Sequence, residues 1–172
     1  MQKIRYNVAM SLDGYISGPN GEADWIVSDP EVNFAELWAQ FDILLGGRKT
    51  YDAARLRLGE SAFQGVKVVV ASRTMKPSDH PSITVVSELT REIVQTLRKQ
   101  AAKDIWLFGG GELFRALLEM GEVDTVEVSI MPVVLGAGVK LLPSTLAQTK
   151  LKLSSQKIYR SGIVSLAYEI DK

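Results

Sequence analysis

The strongest chemical signal in the chain is the run Phe108-Gly109-Gly110-Gly111-Glu112-Leu113. Ile105-Trp106-Leu107-Phe108 reads as a strand, and Leu113, Phe114, Leu117 and Leu118 share one helical side. Glycines between strand and helix remove the Cβ atoms that would hold a ligand away from the backbone. A helix start also offers free N–H groups and the positive end of its dipole, which suits a diphosphate. The run could equally be a tight turn, but three glycines are costly in backbone entropy, which favours a ligand. It is not a Gly-x-Gly-x-x-Gly fingerprint: Leu113-Phe114 stands where the third glycine belongs. The fingerprint's acid, expected about 20 residues on at a strand end, is also missing. Glu127 lies mid-strand, and that strand ends in Met131-Pro132.

Two further strand ends point the same way. Gly46-Gly47-Arg48-Lys49-Thr50-Tyr51 follows the short apolar run Ile43-Leu44-Leu45, and Thr50 is placed to cap the next helix or to touch phosphate. Ala71-Ser72-Arg73-Thr74 follows Val66-Lys67-Val68-Val69-Val70, the clearest buried strand. In an open α/β sheet, ligands bind at the carboxyl ends of strands. Singly, surface cations are usually solvated. Together, these sites predict a phosphate-rich nucleotide, with Arg48, Lys49 and Arg73 suited to a 2′-phosphate and hence to NADP rather than NAD.

Other chemistries find little support. Lys plus Arg is 20 and Asp plus Glu is 20, so the basic excess of a general nucleic-acid binder is missing. There is no cysteine, which removes disulfides, thiolate metal sites and cysteine nucleophiles. The one histidine, His80, sits in the turn-rich Pro77-Ser78-Asp79-His80-Pro81-Ser82 and is a poor catalytic candidate. No window approaches about 18 apolar residues, so no membrane span is expected and the reading is cytoplasmic.

The elements that must position these motifs alternate. Strands are expected at 3–10, 42–46, 66–71, 83–86, 105–108 and 123–131, with helices near 31–40, 49–57, 88–102 and after Gly111. Residues 11–30 and 132–143 read as long loops, of the kind that often carries function. Strands near 149–159 and 162–170 flank Ser161-Gly162 as a closing hairpin. Trp38, Trp106 and Phe114 are expected in the core, whereas Trp25 lies in a polar loop and needs a ligand or core to pack on. The alternation implies an α/β fold with a mainly parallel sheet and helices on both faces.

Six segments, in order over residues 4–143, resemble the dihydrofolate reductase superfamily. They are Ser11-Leu12-Asp13-Gly14, Gly21-Glu22-Ala23-Asp24-Trp25-Ile26, Gly47-Arg48-Lys49-Thr50-Tyr51, Val68-Val69-Val70-Ala71-Ser72-Arg73, Phe108-Gly109-Gly110-Gly111-Glu112 and Pro132-Val133-Val134-Leu135-Gly136-Ala137-Gly138. Within the superfamily the chain is most similar to the reductase domain of bacterial bifunctional riboflavin-biosynthesis enzymes. The resemblance implies one dihydrofolate-reductase-like domain over 1–172, a C-terminal antiparallel hairpin, and NADPH as hydride donor. It assigns Phe108, Gly109, Gly110, Gly111, Glu112 and Leu113 to the cofactor, with Gly109 to Glu112 at the pyrophosphate. It sets Gly47, Arg48, Lys49 and Thr50 along the diphosphate and adenosine side, and Ser72 and Arg73 at the 2′-phosphate. It implies that Val8 and Ala9 line the nicotinamide pocket with their backbone, that Ile16 stands near the ring, that Ser129 enters the substrate pocket, and that Asp13 and Trp25 border the cleft.

The resemblance implies an NADPH-dependent reductase of a small heterocycle, like 5-amino-6-(5-phosphoribosylamino)uracil reductase. Dihydrofolate reduction, or an NADPH-binding module without turnover, are the alternatives. Folate enzymes carry a pterin-binding carboxylate on the helix after the Trp loop. Asp29 and Glu31 are the nearest acids here, Glu31 fits the count from Gly47 better, and both could simply cap that helix. Asp13, Glu31 or water are the candidates to supply the proton, and Asp13 would equally make a turn with Gly14. Lys140 is the candidate for a ribosyl phosphate. A small-molecule substrate and a possible homodimer complete the expectations.

Overall fold

In the computed structural model, which describes residues 2–144 and 147–171, the chain builds one large sheet and one small one. The elements are β1 (Ile4–Ser11), β2 (Tyr15–Ser17), α1 (Phe34–Trp38), β3 (Phe41–Gly47), α2 (Arg48–Leu58), β4 (Lys67–Ala71), β5 (Thr84–Val86), α3 (Arg91–Gln100), β6 (Asp104–Gly109), α4 (Gly111–Glu119), β7 (Thr125–Met131), β8 (Val139–Lys140), β9 (Leu151–Ile158) and β10 (Val164–Ile170). The large sheet runs β5-β4-β3-β6-β1-β7-β10-β9. Its strands are parallel except β10, which is antiparallel to both β7 and β9. The closing hairpin is therefore present, turning at Gly162 with φ +88.

Buried apolar runs explain the central strands. Ile43-Leu44-Leu45, Val68-Val69-Val70 and Ile105-Trp106-Leu107 are buried throughout, as strands covered on both faces must be. On the first face, α3 and α4 bring Val94, Leu97, Phe114 and Leu117 onto Ile4, Tyr6, Leu107, Val126 and Val128. On the second, Leu37 and Trp38 of α1 and Tyr51 of α2 join Phe41, Leu44, Val68, Val70 and Trp106. The expected core residues Trp106 and Phe114 are buried, and Trp38 packs edge-on against Trp106 at 4.9 Å.

Three local expectations need correction. The two long loops are not wholly irregular, because β2 and β8, within 11–30 and 132–143, pair with each other. Thr50 does not cap α2: Gly47 occupies the cap, and Thr50 lies inside the helix with Oγ1 toward Gly110. Neither Asp29 nor Glu31 caps α1. Asn33 does, its side chain accepting from Glu36 N at 3.1 Å, and Glu31 lies before the helix.

Candidate active site

The sheet's connections choose the site. From β1 the chain passes through α1 to β3, on the far side of β6; from β6 it passes through α4 to β7, on the far side of β1. Connections leaving in opposite directions open a crevice at the carboxyl ends of β1 and β6. The ladder confirms the opening. β1 pairs with β6 only as far as Tyr6↔Leu107, yet stays paired with β7 up to Ser11↔Met131. Beyond Tyr6, the Asn7–Ala9 backbone borders the crevice on its β6 side, with Asn7 O taken by Trp106 Nε1 at 2.9 Å. Val8 and Ala9 thus form one rim, and Phe108 and Gly109 the other.

Two helix starts meet beside this opening, at the carboxyl ends of β3 and β6. Neither α2 nor α4 has a side-chain cap. Their first-turn N–H groups therefore lack the usual side-chain acceptor. The approach is close: a methyl group added at Gly47 would lie 3.8 Å from Gly109 O and 3.9 Å from Gly110 N, and one at Gly110 would lie 3.3 Å from Thr50 Oγ1. Gly109, at φ +111, takes a conformation that side chains rarely adopt. Gly111 has a different reason. A Cβ there would stand 2.7 Å from Lys140 O, so its smallness admits the 140–143 segment against α4. Glu112 is exposed and paired with Arg115 at 3.1 Å, and Leu113 packs on the core.

The cations lie where the strand ends predicted. Arg48 Nη1 donates to Thr74 Oγ1 at 2.7 Å, and its Nε faces Asp52 at 3.5 Å. Ser72 Oγ accepts from Met75 N at 3.1 Å and from Thr74 N at 3.3 Å, which bends the chain after β4 toward Arg48. Lys49 and Arg73 are exposed. Thr74 joins this group through its hydroxyl, and its place beside Ser72-Arg73 is the signal that the sequence carries for it.

On the β7 side of the crevice, the registers align Ala9, Ser129 and Ser165 across β1, β7 and β10. The two serine hydroxyls are 2.8 Å apart and half-buried. Ser165 could not be found without the hairpin's register. Ile16 lies on β2, and half-buried Trp25 donates Nε1–H to Glu22 O at 3.0 Å.

The acids are all engaged. Asp13 accepts from Ser11 Oγ at 2.7 Å, Leu135 N at 3.0 Å and Gly136 N at 2.7 Å. The Ser11 hydroxyl foremost, with those amides, holds its carboxyl down at about 2. Asp29 is buried and accepts from Glu31 N at 2.8 Å and from Ser161 N at 3.0 Å, which pins the Trp loop to the hairpin turn. Glu31 faces Lys157 and Arg160, each at 3.8 Å.

Two broad concavities lie away from the crevice. One is lined by Lys3, Arg5, Asp104, Thr125, Glu127 and Glu169, the other by Arg91, Met120, Val123, Lys150 and Ile170 among others. Both sit away from the carboxyl ends of the parallel strands. In the first, Arg5 grips Glu127 through two bonds of 2.7 and 2.8 Å, so its charges answer one another.

Comparison with known proteins agrees with this architecture. The sequence model of the RibD C-terminal domain matches residues 2–165. The uncharacterized protein YyaP of Bacillus subtilis is 33% identical over 178 residues, which cover 97% of this chain and 94% of that protein. Among solved structures, a candidate riboflavin-biosynthesis protein from Shewanella sp. PV-4 superposes over the whole of both chains with TM-score 0.85 at 23% identity. A diaminohydroxyphosphoribosylaminopyrimidine deaminase/5-amino-6-(5-phosphoribosylamino)uracil reductase from Thermotoga maritima superposes with TM-score 0.76 at 16% identity, covering 99% of this chain and 57% of that one. At these identities the solved structures establish the fold: α/β, mostly parallel, with the antiparallel hairpin.

Proposed function

The chain belongs to the RibD C-terminal domain family, and from that premise we propose that it is an NADPH-dependent reductase of a small heterocycle, most like 5-amino-6-(5-phosphoribosylamino)uracil. The observation that carries the reading is the close approach of two uncapped helix starts at the carboxyl ends of β3 and β6, beside the crevice between β1 and β6. The residues fit the cofactor. The uncapped first turns of α2 and α4 suit a diphosphate, with Gly47, Thr50, Phe108, Gly109, Gly110, Gly111, Glu112 and Leu113 around it. Arg48, Lys49, Ser72 and Arg73 suit a 2′-phosphate, joined by Thr74. Val8, Ala9 and Ile16 border the nicotinamide.

Bound there, the cofactor supplies the hydride. The chain's part is alignment, to a separation of about 3–3.5 Å between the reacting atoms. Ala9 and Phe108 set the depth of the ring, while the Ser129 and Ser165 hydroxyls offer hydrogen bonds to a polar heterocycle edge. Trp25 borders the cleft. Asp13 is ionised and Glu31 faces two cations, so in this reading water delivers the proton. The same engagement of Asp29 and Glu31 with the hairpin turn favours the riboflavin-type substrate over dihydrofolate, whose pterin needs a free carboxylate.

The test is NADPH oxidation with 5-amino-6-(5-phosphoribosylamino)uracil, with dihydrofolate beside it. Oxidation with the uracil alone supports the reading. Oxidation with dihydrofolate alone replaces it, and binding of NADPH without turnover on either returns the non-catalytic module. The homodimer also belongs to this proposal. All eight residues of β9 are exposed, including Leu151, Leu153 and Ile158, and an uncovered edge strand invites pairing. Light scattering giving a monomer mass would remove it. No helix among the described residues is long and apolar enough to cross a membrane, and a cytoplasmic location remains part of the proposal.

A further inference from the structure

Asp13 lies between two loops that meet over the crevice. Its Oδ1 accepts from Leu135 N and its Oδ2 from Gly136 N, while Ser11 Oγ, which donates to Oδ1, itself accepts from Tyr15 N at 2.9 Å. Around this carboxylate the 11–17 and 133–141 segments are laced together. Leu12 N donates to Val133 O at 2.8 Å, Leu141 N donates to Gly14 O at 2.9 Å, and β2 pairs with β8 through Tyr15↔Lys140 and Ser17↔Val139. Gly138 fits only because it has no side chain; a Cβ there would fall 2.1 Å from Ser17 O.

The laced loops also reach the cofactor cradle. Lys140 O and Leu141 O press on Gly111, the first residue of α4. Tyr6 OH donates to Leu141 O at 3.2 Å, and the Tyr6 ring stacks on Phe114 of α4 at 3.9 Å. A continuous set of contacts therefore runs from Asp13 to the helix start at the crevice.

We propose that Asp13 is a positioning residue: its carboxylate locks the 133–141 loop onto the 11–17 loop, and through that lock sets the 140–143 segment against the start of α4. This rests on the cofactor reading only for its effect on NADPH. The lock itself is a statement about the free protein. It differs from a proton-relay role, because every Asp13 oxygen is bonded within the chain.

The experiment compares wild type with Asp13→Asn and Gly138→Ala. Asp13→Asn keeps the size but puts an NH2 donor where an acceptor stood. Gly138→Ala breaks the same lace at a position remote from the carboxylate. Hydrogen exchange is followed at the Leu135, Gly136, Leu141 and Phe114 amides, and NADPH affinity by fluorescence titration. Both variants should exchange about tenfold faster at Leu135, Gly136 and Leu141, and faster at Phe114 too, as lost loop bonds open local structure. NADPH affinity should fall in both, by a similar factor. Unchanged exchange in Asp13→Asn would overturn the lock, whether or not NADPH binds. Faster loop exchange with Phe114 unaltered would overturn the link to α4. If wild type ignores NADPH, the cofactor reading fails, while the exchange result still decides the lock. Should Asp13→Asn prove unfolded, Ser11→Ala, which removes one partner of the carboxylate, gives the same readout in milder form.

Discussion

Gly111→Ala separates the packing role of the glycine run from its role at the cofactor. A methyl group at Gly111 would lie 2.7 Å from Lys140 O, 3.0 Å from Pro143 Cδ and 3.1 Å from Leu141 O. Two of these atoms are backbone carbonyls and the third is in a proline ring, so no flexible side-chain end can move aside. The segment that must shift is tied by Leu141 N to Gly14 O and by Tyr6 OH to Leu141 O. Forcing an extra carbon into such a contact costs about 1–3 kcal/mol. Alanine recovers up to about 1 kcal/mol of helix propensity over glycine, which leaves a net loss of about 0–2 kcal/mol. For a chain of this length that lowers Tm by up to about 8 °C. Gly110→Ala is the contrast. Its Cβ would meet only Thr50 Oγ1, at 3.3 Å, a hydroxyl that can rotate away. It should melt within about 2 °C of wild type while weakening the cofactor, because that methyl points into the gap between the helices. Thermal melts followed by circular dichroism give both values. A Gly111→Ala protein that melts above wild type would refute the packing argument.

Other consequences can be measured directly. Arg73→Ala should weaken NADPH about 10- to 150-fold, the worth of a hydrogen bond to a charged group, and leave NADH unchanged; equal losses would remove the 2′-phosphate assignment. Arg98 is buried, donates to Gln2 O and Glu122 O, and pairs with Asp124 at 2.7 Å and Glu122 at 3.4 Å. Arg98→Met leaves two carboxylates without that partner and should cost about 3–5 kcal/mol, read as a lower denaturant midpoint. Asp13, Asp29 and Glu127 all stand below their ordinary values in the folded chain. The Ser11 hydroxyl holds Asp13, Ser161 and the Glu31 amide hold Asp29, and for Glu127 burial pushes upward but Arg5 outweighs it. Depressed carboxylates stabilise above their unfolded values of about 4, and that stability is lost as pH falls through the folded values. The midpoint should thus hold steady down to about pH 5 and fall below about pH 4, with a shallower fall in Asp13→Asn. A midpoint that rises on acidification would contradict the assignment.

Much of this fold could be read from residues because its central strands are continuous apolar runs. Val68-Val69-Val70 and Ile105-Trp106-Leu107 admit few other readings, and each strand end carried its own glycines or cations. The pieces that escaped depend on register or on non-local contact. β2 and β8 have three and two residues, too short for any periodicity. Ser165 meets Ser129 only because the hairpin folds back with one particular register. At Gly111, a glycine required by a carbonyl 29 positions away leaves the same mark in the sequence as one required by phosphate, so the packing role is legible only in the fold. The partners of Asp13 and Glu31 are hidden in the same way: the amides and cations that face them come from Leu135, Gly136, Lys157 and Arg160, far along the chain.

The central claim is a cofactor site at the crevice between β1 and β6 that prefers NADPH. Thermal melts of the protein alone, with excess NADPH and with equal NADH test it most directly. Ligand at about 100 times its dissociation constant adds about 2.7 kcal/mol. For this chain that is an upward shift of about 5–11 °C with NADPH, and a clearly smaller one with NADH. No shift with either would contradict the claim, and the glycines and cations at these strand ends would then be structural only.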